Sequence, residues 1–349
     1  MDRVRIGFVG GGGMGQMAHL SNYAVLAQQG LCEIVALAEP KAEQARLVAA
    51  RYGIPRVYPD HAELLVRETM DAVVAPQPYR RHSLIVPDVL LAGIPVFTEK
   101  PLCLTVEAGE RLVEIGRRMR TLHMVGYHKR SDPAVEYAKS LVDKWKSSGE
   151  YGRMRYVRVT MPPGDWMHGA DKPILTEEPI PDAQREPAPA DMDEKQARAY
   201  DVFVNYYIHQ VNMVRFMLGD DYRVTYAEPS QVLLVGISAG GICATIEMEP
   251  YRTTHEWHES VLVGFERAFI KVDLPAPLAQ QEAGKVAVMC VDEGGGAETV
   301  HPALINRSAM MQQAMNFIAA VRGERRAPCE AEEALKDLRV ARDYIRMIM

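Results

Sequence analysis

At 349 residues the chain is long enough for two domains. Its 48% hydrophobic and 25% charged residues are the mix of a globular protein with a full core. A formal net charge of −6 gives no electrostatic reason to expect nucleic acid or an anionic membrane surface as a partner.

From the start, an apolar strand is expected over 5–9, with no basic-then-apolar leader before it. A helix over 14–29, a strand over 33–38 and a helix over 41–52 follow. Further strands are expected over 71–75 and 96–98, separated by a helix over 82–92. A helix over 106–120 then leads to a strand over 122–126. Short apolar strands alternating with amphipathic helices predict a doubly wound parallel α/β sheet, covered on both faces.

Beyond residue 128 the pattern changes. A helix over 133–146 and a strand over 154–161 precede a proline- and acid-rich stretch, 173–194, with no periodicity, read as a loop or insertion. A single helix is expected over 200–218, stopped by Gly219. Strands over 223–227, 231–238, 242–248, 260–265, 268–272 and 286–290 come in succession, which predicts antiparallel pairing in an α+β domain. Helices over 310–322 and 331–345 close the chain. The expected division is 1–128, a dinucleotide-binding domain, and 129–349, a domain for substrate and self-association.

No apolar run approaches the roughly 20 residues of a membrane span. Cys32, Cys103, Cys243, Cys290 and Cys329 show no CxxC spacing and read as thiols of a reducing compartment. A cytoplasmic protein is the expectation. No His or Cys pair has the spacing of a metal site with supporting carboxylates, so no metal is expected.

Between the first strand and first helix stands Gly10-Gly11-Gly12-Gly13-Met14-Gly15, which contains Gly-x-Gly-x-x-Gly as Gly10, Gly12 and Gly15. The first glycine permits a tight turn and the second lets backbone approach a pyrophosphate. The third lets helix pack on strand, and the helix N-terminus offers N–H groups to an anion. Glu39 ends the second strand, where a carboxylate accepts hydrogen bonds from ribose hydroxyls and repels a 2′-phosphate. NAD is therefore expected over NADP, although Lys41 nearby weakens the distinction. A ligand-free turn, or another adenine nucleotide, would carry the same glycines.

Glu99-Lys100-Pro101 follows the strand at 96–98, at the carboxyl edge of the sheet where ligands bind. Several segments together resemble the Gfo/Idh/MocA family of sugar and cyclitol oxidoreductases over nearly the whole chain. They are the glycine loop, Glu39-Pro40, residues 92–101, residues 125–130, the helix bearing His209, and residues 316–323. The resemblance implies a Rossmann domain followed by a domain with a largely antiparallel open sheet that commonly serves subunit association. A homo-oligomer is therefore expected.

The resemblance also assigns roles. Lys100 would point at the reacting hydroxyl beside the nicotinamide, with the Lys100–Pro101 bond often cis in relatives. The family's helix signature Asp-x-Gly-x-His-x-x-Asp falls on Asn205, Tyr207, His209 and Asn212, and only the histidine matches. An amide at 205 can hold a hydroxyl but cannot shuttle a proton. Proton transfer then falls to His209, whose imidazole suits a base near neutrality, with Asn205 orienting substrate. On a continuous helix, residues 205, 209 and 212 would share one face. Lys100 and His209 are expected to converge on one substrate hydroxyl.

After the fourth strand relatives often have Thr-Pro-Asn; Ala75-Pro76-Gln77 departs from that, and Pro76 and Gln77 are still expected to border the nicotinamide ribose. His82 matches the family's histidine, with a loop two residues longer, and reads equally as the start of a helix. Candidate cofactor residues are thus Gly10, Gly12, Gly13, Met14, Gly15, Glu39, Pro76, Gln77, His82, Glu99 and Lys100. Arg130 matches the family's arginine after the hinge strand and could reach a substrate hydroxyl or carboxylate. Trp166 and His168 offer an aromatic face with a nearby donor for a sugar ring, or pack the domain's edge. His255, Trp257 and His258 read as part of a hairpin-like segment.

The expected activity is NAD-dependent oxidation of a secondary alcohol on a sugar, glycoside or cyclitol. Two rivals share the site. One retains NAD and eliminates a substituent after transient oxidation; the other is a non-catalytic regulator binding NAD and a sugar.

Overall fold

The computed structural model describes residues 3–162, 164–179, 184–249 and 257–349. These form two compact units. The first contains residues 1–127, 170–193 and 313–338, and the second 128–169, 194–312 and 339–349. The first boundary lies beside the expected division at 128/129, and two later stretches return to the first unit.

The first unit is built on a six-stranded parallel sheet. Its strands are β1 (Val4–Val9), β2 (Cys32–Ala38), β3 (Val57–Tyr58), β4 (Ala72–Ala75), β5 (Val96–Glu99) and β6 (His123–Gly126), in the order β3-β2-β1-β4-β5-β6. Ile6, Phe8, Val35, Leu37, Val73, Val74, Val96 and Phe97 are all buried. Burying such a side chain stabilises by about 1.5–3 kcal/mol. This two-sided burial explains why the strands read as continuous apolar runs rather than alternating ones. Helices α1 (Ser21–Gln28), α2 (Ala42–Tyr52), α3 (His61–Arg67), α4 (His82–Leu91) and α5 (Val106–Met119) connect them. Periodicity did not mark β3, which is only two residues long, or α3.

The strand order reverses direction between β1 and β4. In such a sheet the crevice outside the carboxyl ends, at that switch point, is where ligands bind. The loops after β1, β2, β4 and β5 all lie on this edge.

The second unit carries an eight-stranded sheet. Its strands are β7 (Met154–Thr160), β8 (Tyr222–Glu228), β9 (Leu233–Ser238), β10 (Cys243–Glu247), β11 (Glu259–Phe265), β12 (Ala268–Leu274), β13 (Lys285–Val291) and β14 (Ala297–Val300). They lie in the order β14-β13-β12-β11-β7-β10-β9-β8. All neighbours are antiparallel except β7 and β10, as a helical connection after β7 permits. Strand burial alternates strictly in β9 and β12, so one face is core and the other open. On the open face the Tyr156 ring lies across Gly264, where a Cβ would come within 2.8 Å of it.

Helix α6 (Pro133–Ser148) opens on Asp132, which accepts hydrogen bonds from the N–H groups of Ala134 (2.8 Å) and Gly284 (3.0 Å). Burial lifts the Asp132 carboxyl to about 6, against the pull of those N–H donors. The unfolded value is about 3.9, so the folded state favours the protonated acid. Stability from this group is therefore full below about pH 4 and is lost as pH rises through 6, by about 3 kcal/mol. Asp132→Asn is expected to remove this group's share of the fall in urea midpoint as pH rises from 4 through 6. Identical pH slopes in both proteins would refute the assignment.

The helix expected over 200–218 is instead two, α7 (Glu194–Tyr206) and α8 (Ile208–Leu218). Tyr207 (φ −110°, ψ 0°) interrupts them. Aromatic packing accompanies the break: Tyr207 packs on Phe203 (5.7 Å), and Phe203 stacks on Tyr344 (4.5 Å). Helices α9 (Ala309–Val321) and α10 (Ala331–Ile348) follow. Among the described residues no helix is long and apolar enough to cross a membrane.

Candidate active site

In the first unit the glycine loop leaves β1 at Gly10, whose φ of +115° only glycine adopts easily. A Cβ there would strike the Gln77 side chain (2.5 Å), and one at Gly15 would strike the Gly10 carbonyl (2.7 Å). Those two glycines are needed by the protein's own packing. Gly12 is different: apart from its chain neighbours no atom lies within 4 Å of its Cβ direction, so the space beside its backbone is open. A pyrophosphate fits this cradle, and Gly13 and Met14 begin the helix behind it. Residues 15–20 take a π-helical turn before α1, a local widening often found at functional sites.

Glu39 is buried at the end of β2. It accepts hydrogen bonds from the N–H of Gly11 (2.9 Å) and of Lys41 (3.2 Å), which hold its carboxylate in place beside the glycine loop. After β4, Gln77 donates its amide to the Val9 carbonyl (2.8 Å), and the Pro76 ring borders Gly15.

Glu99-Lys100-Pro101 leaves β5 on the same edge, with the Lys100–Pro101 bond cis. Glu99 is buried and bonded to the His19 ring (2.9 Å), and accepts the Lys100 N–H (3.2 Å). A Cβ at Gly126 would come within 2.8 Å of the Phe97 ring, 3.0 Å of the Thr98 carbonyl and 3.2 Å of the Glu99 carboxylate, so β6 needs glycine beside this turn. Glu99 thereby fixes the backbone from which Lys100 projects. His82 is fully enclosed: its Nδ1 faces the carbonyls of Pro101 (3.2 Å) and Leu102 (3.1 Å), and its Nε2 that of Gln77 (3.0 Å). Burial holds its imidazole below the ordinary range, partly offset by those carbonyls. The ring ties the loop after β4 to the loop after β5.

In the second unit, α8 presents His209, Asn212 and Phe216 along one face. The His209 ring meets His128 edge-on (4.7 Å). Arg130 Nε donates to Asn212 (2.6 Å), and its guanidinium lies over Phe216 (4.6 Å). Behind this face Lys129 pairs with Glu259 at 2.5 Å, and both are buried. Gln210 (2.8 Å) and the Trp257 indole (3.0 Å) also donate to Glu259. Burial pushes the Lys129 ammonium below its ordinary range, opposed by Glu259.

Residues 4–127 match the family described as "Oxidoreductase family, NAD-binding Rossmann fold" (Gfo/Idh/MocA). Over those residues the chain is similar to that family. It is 24% identical over 238 residues to the myo-inositol 2-dehydrogenase of Thermotoga maritima, covering 68% of this chain and 62% of that one. It is 31% identical over 136 residues to the rhizopine catabolism protein MocA of Rhizobium meliloti, covering 39% and 41%. The matches thus span less than two thirds of either relative. An NAD-binding oxidoreductase from Klebsiella pneumoniae shares the fold, with a TM-score of 0.77 at 17% identity over 99% of this chain and 97% of that one.

The first unit gathers the glycine loop, Glu39, Pro76, Gln77, His82, Glu99 and Lys100 on one sheet edge. The second gathers His209 and Arg130. Asn205 lies exposed on α7, across the Tyr207 break from His209, so the shared helical face expected for 205, 209 and 212 holds only for the last two. Trp166 and His168 are exposed in a turn. Trp257 and His258 line a separate groove of about 530 Å³ with Glu247, Glu249 and Asp273. His255 lies outside the described residues. Among the described residues no cluster of three or more His, Cys, Asp or Glu side chains could hold a metal ion.

Sequence reasoning missed His19 and the Lys129–Glu259 pair. His19 stands four residues after Gly15 on the first helix, a spacing that could have flagged it. Glu259 carried no local signal, because its partner lies 130 positions away.

Proposed function

We propose that the protein is an NAD-dependent dehydrogenase oxidising a secondary alcohol of a sugar, glycoside or cyclitol. The observation that carries this reading is the placement of the glycine loop, Glu39 and Lys100 along one carboxyl edge of a single parallel sheet. Inositol dehydrogenase relatives support the substrate class. Glu39 supports NAD over NADP, because a carboxylate there accepts ribose hydroxyls and repels a phosphate.

Bound NAD⁺ supplies the hydride acceptor. The Lys100 ammonium binds the reacting oxygen and stabilises its developing negative charge. His209 takes the hydroxyl proton, and Asn205 hydrogen-bonds a neighbouring hydroxyl. Arg130 and the exposed Trp166 and His168 are assigned to the substrate side. The open sheet face around Tyr156 is assigned to self-association.

Protein mixed with NAD⁺ and a panel of pyranoses and inositols is expected to produce NADH absorbance with at least one of them. Light scattering on the same sample is expected to show a dimer or larger assembly. A panel that yields neither NADH nor any altered sugar would overturn the proposed activity.

A further inference from the structure

The described part of the proline- and acid-rich stretch is bound along the first unit as an extended strap. Arg51 donates to the Lys172 carbonyl (2.8 Å). Gln16 pairs with both the N–H (2.9 Å) and the carbonyl (2.7 Å) of Ile174, and also donates to the Gly11 carbonyl (2.7 Å). Gln44 accepts the Thr176 N–H (3.3 Å) and donates to that same Gly11 carbonyl (3.2 Å). Alternate residues 174, 176 and 178 thus face the glycine loop and α2, while Leu175 and Glu177 point outward. Farther on, buried Glu186 accepts from the N–H (2.7 Å) and hydroxyl of Thr105 and from Ser83 (2.8 Å), a second anchor at the start of α5.

The strap ends this run in a carboxylate. Glu178 accepts the N–H groups of Glu43 (3.1 Å) and Gln44 (3.0 Å), and the Thr176 hydroxyl (2.8 Å). The two N–H groups belong to the first turn of α2, which leaves them unpaired within the helix and carries a positive dipole end. Pro179 holds Glu178 in extended backbone. Lys41 gives its ammonium to the Thr176 carbonyl (3.2 Å).

These groups adjoin the place where a dinucleotide's 2′ position is read. The ribose hydroxyls meet the acid at the end of β2, here Glu39. A 2′-phosphate would need cations and helix N–H groups from the residues just after it. In this chain those residues are Lys41, Glu43 and Gln44, and the strap engages all three. We propose that Glu178 is a cofactor-selecting residue: its carboxylate holds the helix end that a 2′-phosphate would require, and so excludes NADP. The proposal rests on the dinucleotide reading of the glycine loop. It also gives Lys41 a role consistent with NAD, since that cation secures the strap.

Dissociation constants for NADH and NADPH, read by fluorescence on the full chain and on Glu178→Gln and Glu178→Lys, test it. The parent protein is expected to prefer NADH. Glu178→Gln keeps the side chain's shape and is expected to narrow that preference roughly tenfold, through tighter NADPH binding. Glu178→Lys is expected to narrow it further. Competition by 2′-AMP should strengthen in both variants while competition by 5′-AMP holds steady. Equal binding of the two cofactors by the parent, or an unchanged ratio in both variants, overturns the role of Glu178. A parent that binds neither cofactor overturns instead the dinucleotide reading beneath it.

Discussion

Lys100→Met is expected to lower kcat/KM by ~10²–10³-fold while NADH binding stays nearly unchanged. Methionine keeps an unbranched stem of similar reach and removes only the ammonium. The groups proposed to meet a dinucleotide's pyrophosphate and ribose, Gly10, Gly12, Gly15 and Glu39, keep their positions in this variant. The backbone at Lys100 is held by Glu99, itself bonded to His19, so the loop should keep its course without the cation. The loss should fall on kcat, because the charge being stabilised develops only as the alkoxide forms. Single-turnover rates and NADH titrations on the same preparation separate the two effects. Full turnover in this variant would remove Lys100 from the mechanism.

Glu259→Ala is expected to destabilise the protein by about 3–5 kcal/mol, measured by the urea midpoint. The carboxylate accepts from Lys129, Gln210 and Trp257, and it and Lys129 are almost wholly shielded from water. Deleting it leaves an ammonium buried against apolar walls and two further donors without their acceptor. The double variant Lys129→Met/Glu259→Leu removes both charges and is expected to recover most of the loss. A loss in Glu259→Ala of under about 1 kcal/mol would mean that water reaches the pair readily.

The first unit's sheet was legible because burial on both faces writes continuous apolar runs into the sequence, and its loops carry glycines whose spacing has a geometric cause. Glu39 and Glu99-Lys100-Pro101 stood out at strand ends, and the role of Lys100 came from the family resemblance. The break at Tyr207 was not legible. Residues 200–218 keep a helical pattern throughout, and the interruption goes with packing of Phe203 on Tyr344, a partner 141 positions away. The stretch 173–194 read as a loop or insertion because its sequence carries no periodicity. Its bonds to Gln16, Lys41 and Gln44 are ones that no local periodicity can announce. His82 was assigned to cofactor or helix start, and its imidazole nitrogens both face backbone carbonyls.

The division of the first unit into three chain segments has a consequence for synthesis. Strand β6 is an edge of the parallel sheet, and its far side is met by Cys329, whose carbonyl accepts the Val125 N–H (2.9 Å), and by a bridge from Met124 to Glu330. Phe317 packs on Phe97, and Leu335 reaches the side of α5 at Gly109. As the polypeptide leaves the ribosome, these covers emerge only after residues 128–312 have been made. Until then the nascent parallel sheet carries a bare hydrogen-bonding edge beside an uncovered aromatic ring, the combination most prone to pairing with a stranger.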